Sequence, residues 1–556
     1  MAGSRAAGVA GALSTFCAGV ATPARVLASE SVAPGGRVEP IAILTFLLFV
    51  SVTLVITAWA ARRTHNTQDF YAAGGRITAW QNALAIAGDF ISASTFLGFT
   101  GLVFVAGFDV SVYIVSAIGG LCLLLILIAE PFRNLGRYTF PDVVSCRLKQ
   151  RPVRIFLAIS SLTVLLLYLV SQMVAAGALI QLLFDIPYPY AVVIIGALMT
   201  IYVSFGGMIA TTWVQIIKAA LMLLGIGVLS LITLYHFDFS LNRLYNEAAR
   251  VHHLGYNVLA PGGLLEDPVS VLSLALASIF GTVAMPHILM RLYTVADGPT
   301  AYRSVYFSAV IMSCVFVLIF FVVGFGAIPL LHGHPELLDE AGNIIGGSNM
   351  VTIHLARVVA GDVFLGFISG IVFATILAVV SGLTLTGAAT LSHDLYASVL
   401  RRGQATEQQE LRVSRLSTVG LGAVAIFLGM LFEGQNIAYM ISMVFVVTAS
   451  ANCPILLLGI YWRRLTTRGA ILGGVAGLVS AVGLMVVGPT IWVEILGNAT
   501  PIFPYKYPGL YSVPAGFFFT WLFSILDRSP QAQRDRERYD SVFVQLHLGQ
   551  PAGGGA

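Results

Sequence analysis

One carboxylate, Asp89, lies within a long apolar stretch and is followed closely by three hydroxyl side chains, those of Ser92, Ser94 and Thr95. An ionised group at the centre of a membrane-length apolar segment costs about 2.5–3.5 kcal/mol on insertion scales, so it normally faces a polar interior. Asp89 could bind a cation or carry a proton, and the hydroxyls could donate hydrogen bonds to a bound anion. The alternative is structural: the carboxylate would accept backbone N–H groups, and the hydroxyls would bond to their own helix.

A second apolar stretch, at about 269–291, contains Gly281 and the pair Pro286-His287. Proline has no N–H and bends or breaks a helix, so we expect a break here. His287 could bond an anion or relay a proton, or it could be a buried histidine with satisfied hydrogen bonds. Arg291, at the end of the stretch, is interpreted as an anchor at the inner face rather than as a substrate ligand.

The two interrupted stretches occupy corresponding places in the two halves of the chain, which is typical of secondary transporters. In the first, at about 80–107, Gly98 and Gly101 are candidates for easing an unwound backbone, as Gly281 and Pro286 are in the second. Close helix packing on small residues is the alternative for the glycines of the first stretch. A membrane-embedded backbone tolerates a break only against protein or a watery cavity, so solute transport is the leading hypothesis.

The composition is typical of a helical membrane protein. Of the 556 residues, 57% are hydrophobic and 10% are charged, whereas soluble domains carry about 25% charged residues. Apolar runs of about 20 residues, each long enough to cross a bilayer core, recur along the chain. The five cysteines are scattered without metal-ligand spacing, so we expect no structural disulfide and consider no metal other than sodium.

We predict about thirteen membrane spans. Their approximate cores are 41–61, 80–107, 110–130, 155–184, 188–208, 212–235, 269–291, 304–331, 353–391, 413–432, 437–462, 468–488 and 511–526. The stretch 353–391 is too long for one straight span, and Gly361-Asp362 is predicted to separate a short outer helix from the span itself. Lysine and arginine concentrate in alternate connections, which predicts an outer N-terminus and a cytoplasmic C-terminus.

Residues 1–30 have the pattern of a secretory signal, with an A-x-A-like cleavage site at Val26-Leu27-Ala28. The transmembrane domain is predicted to cover 31–530, and 531–556 is predicted to be a cytoplasmic tail.

Spans 2–6, at about 80–235, and spans 7–11, at about 269–462, form two sets of five that each open with a broken helix. Because five is an odd number, the two sets have opposite orientations in the membrane. We therefore predict an all-α, polytopic membrane protein with a 5+5 inverted repeat, in which span 1 and spans 12–13 are peripheral.

Several motifs in the same order along the chain resemble those of the solute–sodium symporter family, over about Ile41–Leu526. They are Ala85-Ile86-Ala87-Gly88-Asp89, Arg133-Asn134-Leu135-Gly136-Arg137-Tyr138-Thr139-Phe140, Gly206-Gly207-Met208-Ile209-Ala210-Thr211-Thr212-Trp213, Pro286-His287-Ile288-Leu289-Met290-Arg291, Ser392-His393-Asp394-Leu395-Tyr396 and Arg464-Leu465-Thr466-Thr467-Arg468-Gly469-Ala470. Within that family the chain is similar to the bacterial cation–acetate symporters. The resemblance implies a LeuT-like core and cation-driven uptake of a small monocarboxylate across the bacterial inner membrane.

The resemblance also implies a sodium site between spans 2 and 9, with backbone carbonyl ligands at Gly88 and Ile91. The two usual hydroxyl ligands fall on Ala378 and Val379, whose side chains have no oxygen, although a hard cation prefers oxygen ligands. Hydroxyl groups one or two turns away could form a shifted site, namely those of Thr375, Ser381 and Thr384. Otherwise the coupling ion is a proton carried by Asp89, and the sequence leaves sodium and the proton as alternatives.

Anion recognition by the free N–H groups of half-helix ends would avoid a large buried charge in the substrate site. The resemblance matches Ser94 and Thr95 to positions that contact sugar in sugar-carrying relatives, where the side chains are larger. Short side chains are suited to a ligand of two or three carbons, such as acetate, propionate, glycolate or pyruvate, only if other groups fill the remaining space. We expect no cofactor and no nucleic-acid partner, with the lipid bilayer as the surroundings, and the oligomeric state stays open.

Two other functions remain as alternatives. The same fold could import another small solute, such as proline, with sodium, or the chain could be a membrane sensor with a transporter-like domain. Only about thirty residues follow the last predicted span, which disfavours the sensor. An enzyme is not expected, because the sequence has neither an H-E-x-x-H motif nor a G-x-S-x-G elbow.

Overall fold

The computed structural model describes residues 40–61, 77–135, 139–204, 208–262, 267–339 and 343–548. The predicted signal at 1–30 lies outside the described residues, as do 549–556 of the predicted tail. Two pieces of the family motifs, Gly136-Arg137-Tyr138 and Gly206-Gly207, also lie outside them.

Apart from one isolated β-bridge between Leu338 and Ile344, the regular structure of the described residues is helical. The α-helices are α1 Pro40–Ala61, α2 Ala79–Phe90, α3 Phe99–Ala106, α4 Ser111–Leu123, α5 Ala129–Leu135, α6 Phe140–Ser145, α7 Gln150–Phe184, α8 Tyr188–Ser204, α9 Met208–His236, α10 Leu241–Val251, α11 Pro268–Val283, α12 Pro286–Arg291, α13 Gly298–Leu318, α14 Phe325–His332, α15 Val351–Ala389, α16 Glu407–Leu431, α17 Ile437–Val447, α18 Cys453–Tyr461, α19 Thr467–Val486, α20 Gly509–Leu526 and α21 Pro530–Leu548. Six π-helical segments lie at Ser94–Gly98, Leu124–Ile128, Ile319–Gly324, Thr390–Leu400, Thr448–Asn452 and Pro489–Ile495. Four 3-10 helices lie at Gly107–Val110, Gly255–Leu259, Pro335–Leu337 and Ser348–Met350.

Ten helical stretches of the described residues are long and apolar enough to cross a membrane. They are Ser94–Leu135, Gln150–Phe184, Thr212–His236, Pro268–Arg291, Gly298–His332, Ser348–Leu400, Glu407–Leu431, Ile437–Tyr461, Thr467–Ile495 and Gly509–Leu526. Two shorter apolar helices lie at Pro40–Val52 and Tyr188–Thr200. The all-helical, multi-span architecture is confirmed, whereas the count of thirteen spans stays a prediction.

Helices α7 and α15 pack against each other, and the apolar window of Ser348–Leu400, which contains α15, is 83% buried. Helix α15 also packs against α1 and α9, and α7 also packs against α8, α16 and α17. Helices α19 and α20 pack against each other and are only about one-third buried along their apolar windows. Their close contact requires a glycine at position 473, because a Cβ there would lie only 2.3 Å from the backbone nitrogen of Thr520.

One residue inside α15 departs from helical geometry, as the sequence predicted. Gly361 has φ 75° and ψ −173°, a backbone conformation that residues with a side chain rarely adopt. The predicted separation at Gly361-Asp362 is confirmed, and a short helix precedes the long buried part of α15.

Candidate substrate and ion site at the two helix breaks

The first interruption lies between α2 and the π-helical segment Ser94–Gly98. Helix α2 ends at Phe90, and Ile91 leaves helical geometry with φ −74° and ψ 72°. The hydroxyl of Thr95 donates to the carbonyl oxygen of Phe90 at 2.5 Å. The predicted break is therefore confirmed at Ile91-Ser92, and the Thr95 hydroxyl is bound to the backbone at the break.

The second interruption lies between α11 and the short helix α12. Ala284 and Met285 leave helical geometry, with φ −119° and ψ 21° at Ala284 and φ −67° and ψ 117° at Met285. Helix α12 then begins at Pro286. The break predicted at Pro286 is confirmed. Proline is well suited to the first position of α12, because the N–H that it lacks would have no partner within the helix.

The three glycines expected in the unwound backbone lie within helical segments instead. Gly98 ends the π-helical segment, Gly101 lies in α3 and Gly281 lies in α11. A Cβ on these residues would approach the nitrogen of Ala438 to 2.6 Å, the oxygen of Ser348 to 2.0 Å and the oxygen of Phe445 to 2.6 Å, respectively. These contacts favour the alternative of close helix packing on small residues, and a role of the three glycines in the unwound backbone stays a prediction.

The carboxylate of Asp89 pairs with Arg291 across the two breaks. Arg291 Nε lies 2.6 Å from Asp89 Oδ2, and both side chains are almost fully buried, at 2% and 3% exposure. Gln215 Nε2 donates to Asp89 Oδ1 at 2.6 Å, and Arg291 Nη1 donates to Thr212 Oγ1 at 2.8 Å. The carboxylate thus accepts hydrogen bonds from side chains of α9 and α12.

The expectation that Arg291 anchors the protein at the inner face was wrong. After the break, α12 contacts both α2 and α15, so its last residue faces the interior of the bundle. Because α12 turns into the bundle after the second break, the Arg291 guanidinium lies in the protein interior and not at the membrane surface.

Lys218 is a second buried cation at the site, and the sequence reasoning missed it. Its ammonium donates to the carbonyl oxygen of Gly88 and, at 2.9 Å, to Gln215 Oε1, and the side chain is 2% exposed. The same rule that singled out Asp89, an ionisable residue inside an apolar span, could have identified Lys218 in the predicted span 212–235.

Polar side chains of α7 lie beside the first break and next to His287. Tyr168 donates its hydroxyl to the carbonyl oxygen of Asp89 at 3.3 Å, and its ring centroid lies 5.3 Å from that of His287. Gln172, one turn further along, donates to Ser94 Oγ at 3.4 Å. Tyr168 and Gln172 were also missed, although two polar residues four positions apart share one face of a helix.

Two atoms in this region keep hydrogen-bonding capacity. His287 Nδ1 and Gln172 Oε1 are buried and have no hydrogen-bond partner within the described part of the chain. Buried polar atoms are usually bonded, so these two atoms can recognise a bound molecule. The alternative interpretation of His287, a histidine with all hydrogen bonds satisfied, does not describe this arrangement.

The sequence matches the Sodium:solute symporter family over residues 70–477, well over half of its length. The chain belongs to this family. It is therefore a membrane symporter and not an enzyme.

One solved structure shares the fold of this symporter, and others resemble it more weakly. A Na+-coupled sialic acid symporter in a substrate-bound, outward-open state has a TM-score of 0.70 at 17% identity, covering 87% of this chain and 98% of that chain. The nucleobase-cation-symport-1 transporter Mhp1, in a closed conformation, has a TM-score of 0.48 at 14% identity, covering 85% and 100%. A manganese transporter of Eremococcus coleocola has a TM-score of 0.43 at 15% identity, covering 85% and 95%.

The symporter's expected sodium ligands are partly brought together, but its own side chains already bind them. The carbonyl of Gly88 accepts Lys218, and the carbonyl of Ala378 accepts Gln215 Nε2 at 3.0 Å. The hydroxyl of Thr375, one turn before Ala378, is buried without a hydrogen-bond partner among the residues that the structure describes.

The remaining candidates on α15 lie close to the same place. A Cβ at Gly382 would lie 3.6 Å from Asp89 Oδ1, which places α15 against the ion pair at this level. Ser381 precedes Gly382 and is buried, as is Thr384. The roles of these residues, and of Ile91, in cation binding remain predictions.

A separate ion-pair cluster involves the Ser392-His393-Asp394 motif. Arg154, at the start of α7, bridges Asp142 at 2.6 Å and Asp394 at 2.5 Å. Thr139 Oγ1 also donates to Asp394, at 3.1 Å. Asp142, His393 and Asp394 have the donor atoms to hold a metal ion, but the Arg154 guanidinium already pairs with both carboxylates. The cluster thereby ties α6, α7 and the segment Thr390–Leu400 together.

Proposed function

We propose that this symporter imports acetate and related short-chain monocarboxylates together with a cation, Na+ or H+, by alternating access. The observation that carries the proposal is His287 Nδ1, a buried atom without a hydrogen-bond partner among the described residues, which can donate to a carboxylate when it carries the proton. His287 lies one helical turn before Arg291, so a bound anion would occupy a region of positive potential.

The balance of charge supports an anionic substrate. Asp89 supplies one negative charge, whereas Arg291 and Lys218 supply two positive charges in the same buried cluster. An uncompensated charge is costly in a buried site. One carboxylate from the substrate would offset the excess positive charge.

Close packing around the first break supports a substrate of few atoms. Ser92, Ser94 and Thr95 are all buried, and the Thr95 hydroxyl is already bonded to the backbone at the break. His287, a hydrogen-bond donor when Nδ1 carries the proton, would orient the carboxylate, whereas Ser92 and Ser94 would contact the remainder of the molecule. Acetate, propionate, glycolate and pyruvate are therefore the proposed substrates.

The membrane potential explains why a cation accompanies the anion. At 100 mV, inside negative, moving one anion inward costs about 2.3 kcal/mol. One co-transported cation cancels that charge and leaves the concentration gradients to drive uptake. Two cations would make uptake electrogenic.

The proposed orientation has the N-terminus outside and the C-terminus in the cytoplasm of a bacterial cell, within the inner membrane. The proposed architecture consists of a cleaved signal at 1–30, a transmembrane domain at 31–530 with a LeuT-like 5+5 inverted repeat of about thirteen spans, and a tail at 531–556. The distribution of basic residues supports the orientation, and the two broken helices support the repeat.

Uptake of labelled acetate into proteoliposomes tests the function. We expect saturable uptake that requires an imposed sodium or pH gradient and is inhibited by propionate, glycolate and pyruvate. Proline, the substrate of the alternative function, should not compete. Competition by proline alone would replace the substrate assignment, and uptake indifferent to both gradients would indicate a facilitator.

A further inference from the structure

The carbonyl of Gly88, implied by family resemblance to be a cation ligand, is bound by a cation that belongs to the protein. Lys218 extends from α9, which packs against both α2 and α15, and its ammonium donates to this carbonyl and to Gln215 Oε1. Carbonyl oxygens of this kind are the ligands that a sodium ion would use.

The second expected contribution, from α15, is also engaged by α9. Gln215 Nε2 donates to the carbonyl of Ala378 at 3.0 Å and to Asp89 Oδ1 at 2.6 Å. At the positions where relatives are expected to have hydroxyl ligands, Ala378 and Val379 have hydrocarbon side chains. Two residues three positions apart, Gln215 and Lys218, thus bind the oxygen atoms that would otherwise surround an ion.

We propose that the Lys218 ammonium is a tethered cation that occupies the place of a coupling sodium ion beside the Gly88 carbonyl. A free sodium ion binds at this place only when Lys218 has moved away. The inference rests on the cation coupling of the proposed function but not on the choice of acetate as substrate.

Electrostatic repulsion also predicts that Lys218 lowers the affinity for sodium at this place. A sodium ion added beside Lys218 and Arg291 would be a third positive charge near the single carboxylate of Asp89, and like charges repel strongly in a buried site. Replacing Lys218 by a neutral residue removes that repulsion and frees the carbonyl. The apparent affinity for sodium should therefore rise.

The test measures sodium binding to the purified full-length protein without substrate. Thermal unfolding is followed in NaCl and in choline chloride at equal ionic strength, because an ion that binds the folded state raises its stability according to concentration and affinity. The variants are Lys218→Met, which removes the charge from a chain of similar length, and Lys218→Arg, which keeps it. Lys149→Met makes the same chemical change at an exposed residue.

We expect the Lys218→Met protein to show a sodium-specific stabilisation with an apparent affinity at least about tenfold higher than that of the wild type. Lys218→Arg and Lys149→Met should behave like the wild type. Lys218→Gln, which removes the charge but keeps a polar side chain, should also bind sodium more tightly and serves as the second variant if Lys218→Met folds poorly. Equal sodium affinity in the wild type and the neutral variants, or loss of sodium binding in them, would overturn the inference.

The outcome is independent of the substrate assignment. If acetate is not transported, the proposed function fails, but the comparison of sodium affinities still stands. If the affinities do not differ while acetate uptake is observed, only the tethered-cation inference fails.

Discussion

Arg291 joins the two helix breaks by an ion pair with Asp89, whose Oδ2 lies 2.6 Å from the guanidinium Nε. The pair connects the end of α12 to the last turn of α2, where both helices stop short of crossing the bundle. The two half-helices therefore share one electrostatic contact, and any substrate or ion at the breaks encounters both members of it.

Removing one member of this pair should be more damaging than removing both. Asp89→Asn and Arg291→Gln each leave a buried charge unpaired, which typically costs about 3–5 kcal/mol. The double variant Asp89→Asn/Arg291→Gln should regain part of the stability but no acetate uptake. A double-mutant cycle on unfolding free energies, combined with uptake assays, measures both effects.

The matched control for the buried pair is the exposed pair of Arg243 and Glu247, whose side chains are 48% and 36% exposed. Arg243→Gln should change stability by less than about 1 kcal/mol. An Asp89→Asn variant that loses no more stability than Arg243→Gln, or that keeps full coupled uptake, would contradict the role given to Asp89.

Replacing His287 should weaken substrate binding. His287→Phe keeps an aromatic ring but removes the Nδ1 atom, and a hydrogen bond to a charged group contributes about 1.5–3 kcal/mol. We expect the apparent KM for acetate to rise by about tenfold or more, with little change in thermal stability. His334→Phe, at a histidine whose side chain is 43% exposed, is the control, and an unchanged KM in His287→Phe would remove this residue from the proposed site.

Gly101 should not accept even a methyl group. The Cβ of Gly101→Ala would lie 2.0 Å from the carbonyl oxygen of Ser348, so backbone must move, and overpacking typically costs about 1–3 kcal/mol. Gly227→Ala makes the same change in α9, where no atom lies within 4 Å of the added carbon, and should be neutral or slightly stabilising. Thermal unfolding of the two variants in parallel gives the comparison, and equal midpoints would show that the helices can separate at Gly101 without cost.

The segment after α10 should lose stability in mild acid. Burial lowers the pKa of His252 from 6.5 to about 4, and the neighbouring His253 adds to the effect. His252 Nδ1 accepts the backbone N–H of Leu254, and Nε2 lies 3.1 Å from the carbonyl of Phe104, which fits the neutral ring.

The sign of the pH effect follows from proton binding. Between about pH 4 and 6.5 the unfolded state binds a proton on His252 that the folded state does not, so this contribution to stability is lost as the pH falls through that range. Thermal unfolding between pH 7 and pH 4 should show a smaller loss for His252→Gln than for the wild type, with His334→Gln as the control. Identical pH profiles for His252→Gln and the wild type would contradict the assignment.

The sequence was informative about where helices break. The backbone cost of an unpaired polar group in a membrane is local, so Pro286, the polar run around Asp89 and Gly361 each marked an interruption that the structure contains. The structural role of each glycine was less predictable. Whether Gly101 eases unwinding or permits close contact depends on a neighbour, Ser348, that is distant in sequence.

The composition of the site was only partly predictable for the same reason. Lys218 stands out in an apolar span, but the sequence does not show that it reaches the carbonyl of Gly88. Arg291 was misplaced because its location depends on the direction that α12 takes after the break. His287 Nδ1 and Gln172 Oε1 lack hydrogen-bond partners among the described residues, which becomes evident only when the neighbouring helices are placed.

The close contacts of α17 have a mechanical consequence. Its residues Ala438 and Phe445 meet Gly98 and Gly281 at distances that leave no space for a side chain, so one helix abuts both broken helices at once. Both broken helices thus share one rigid neighbour, and a bulkier residue at Gly98 or Gly281 would have to push against the same helix.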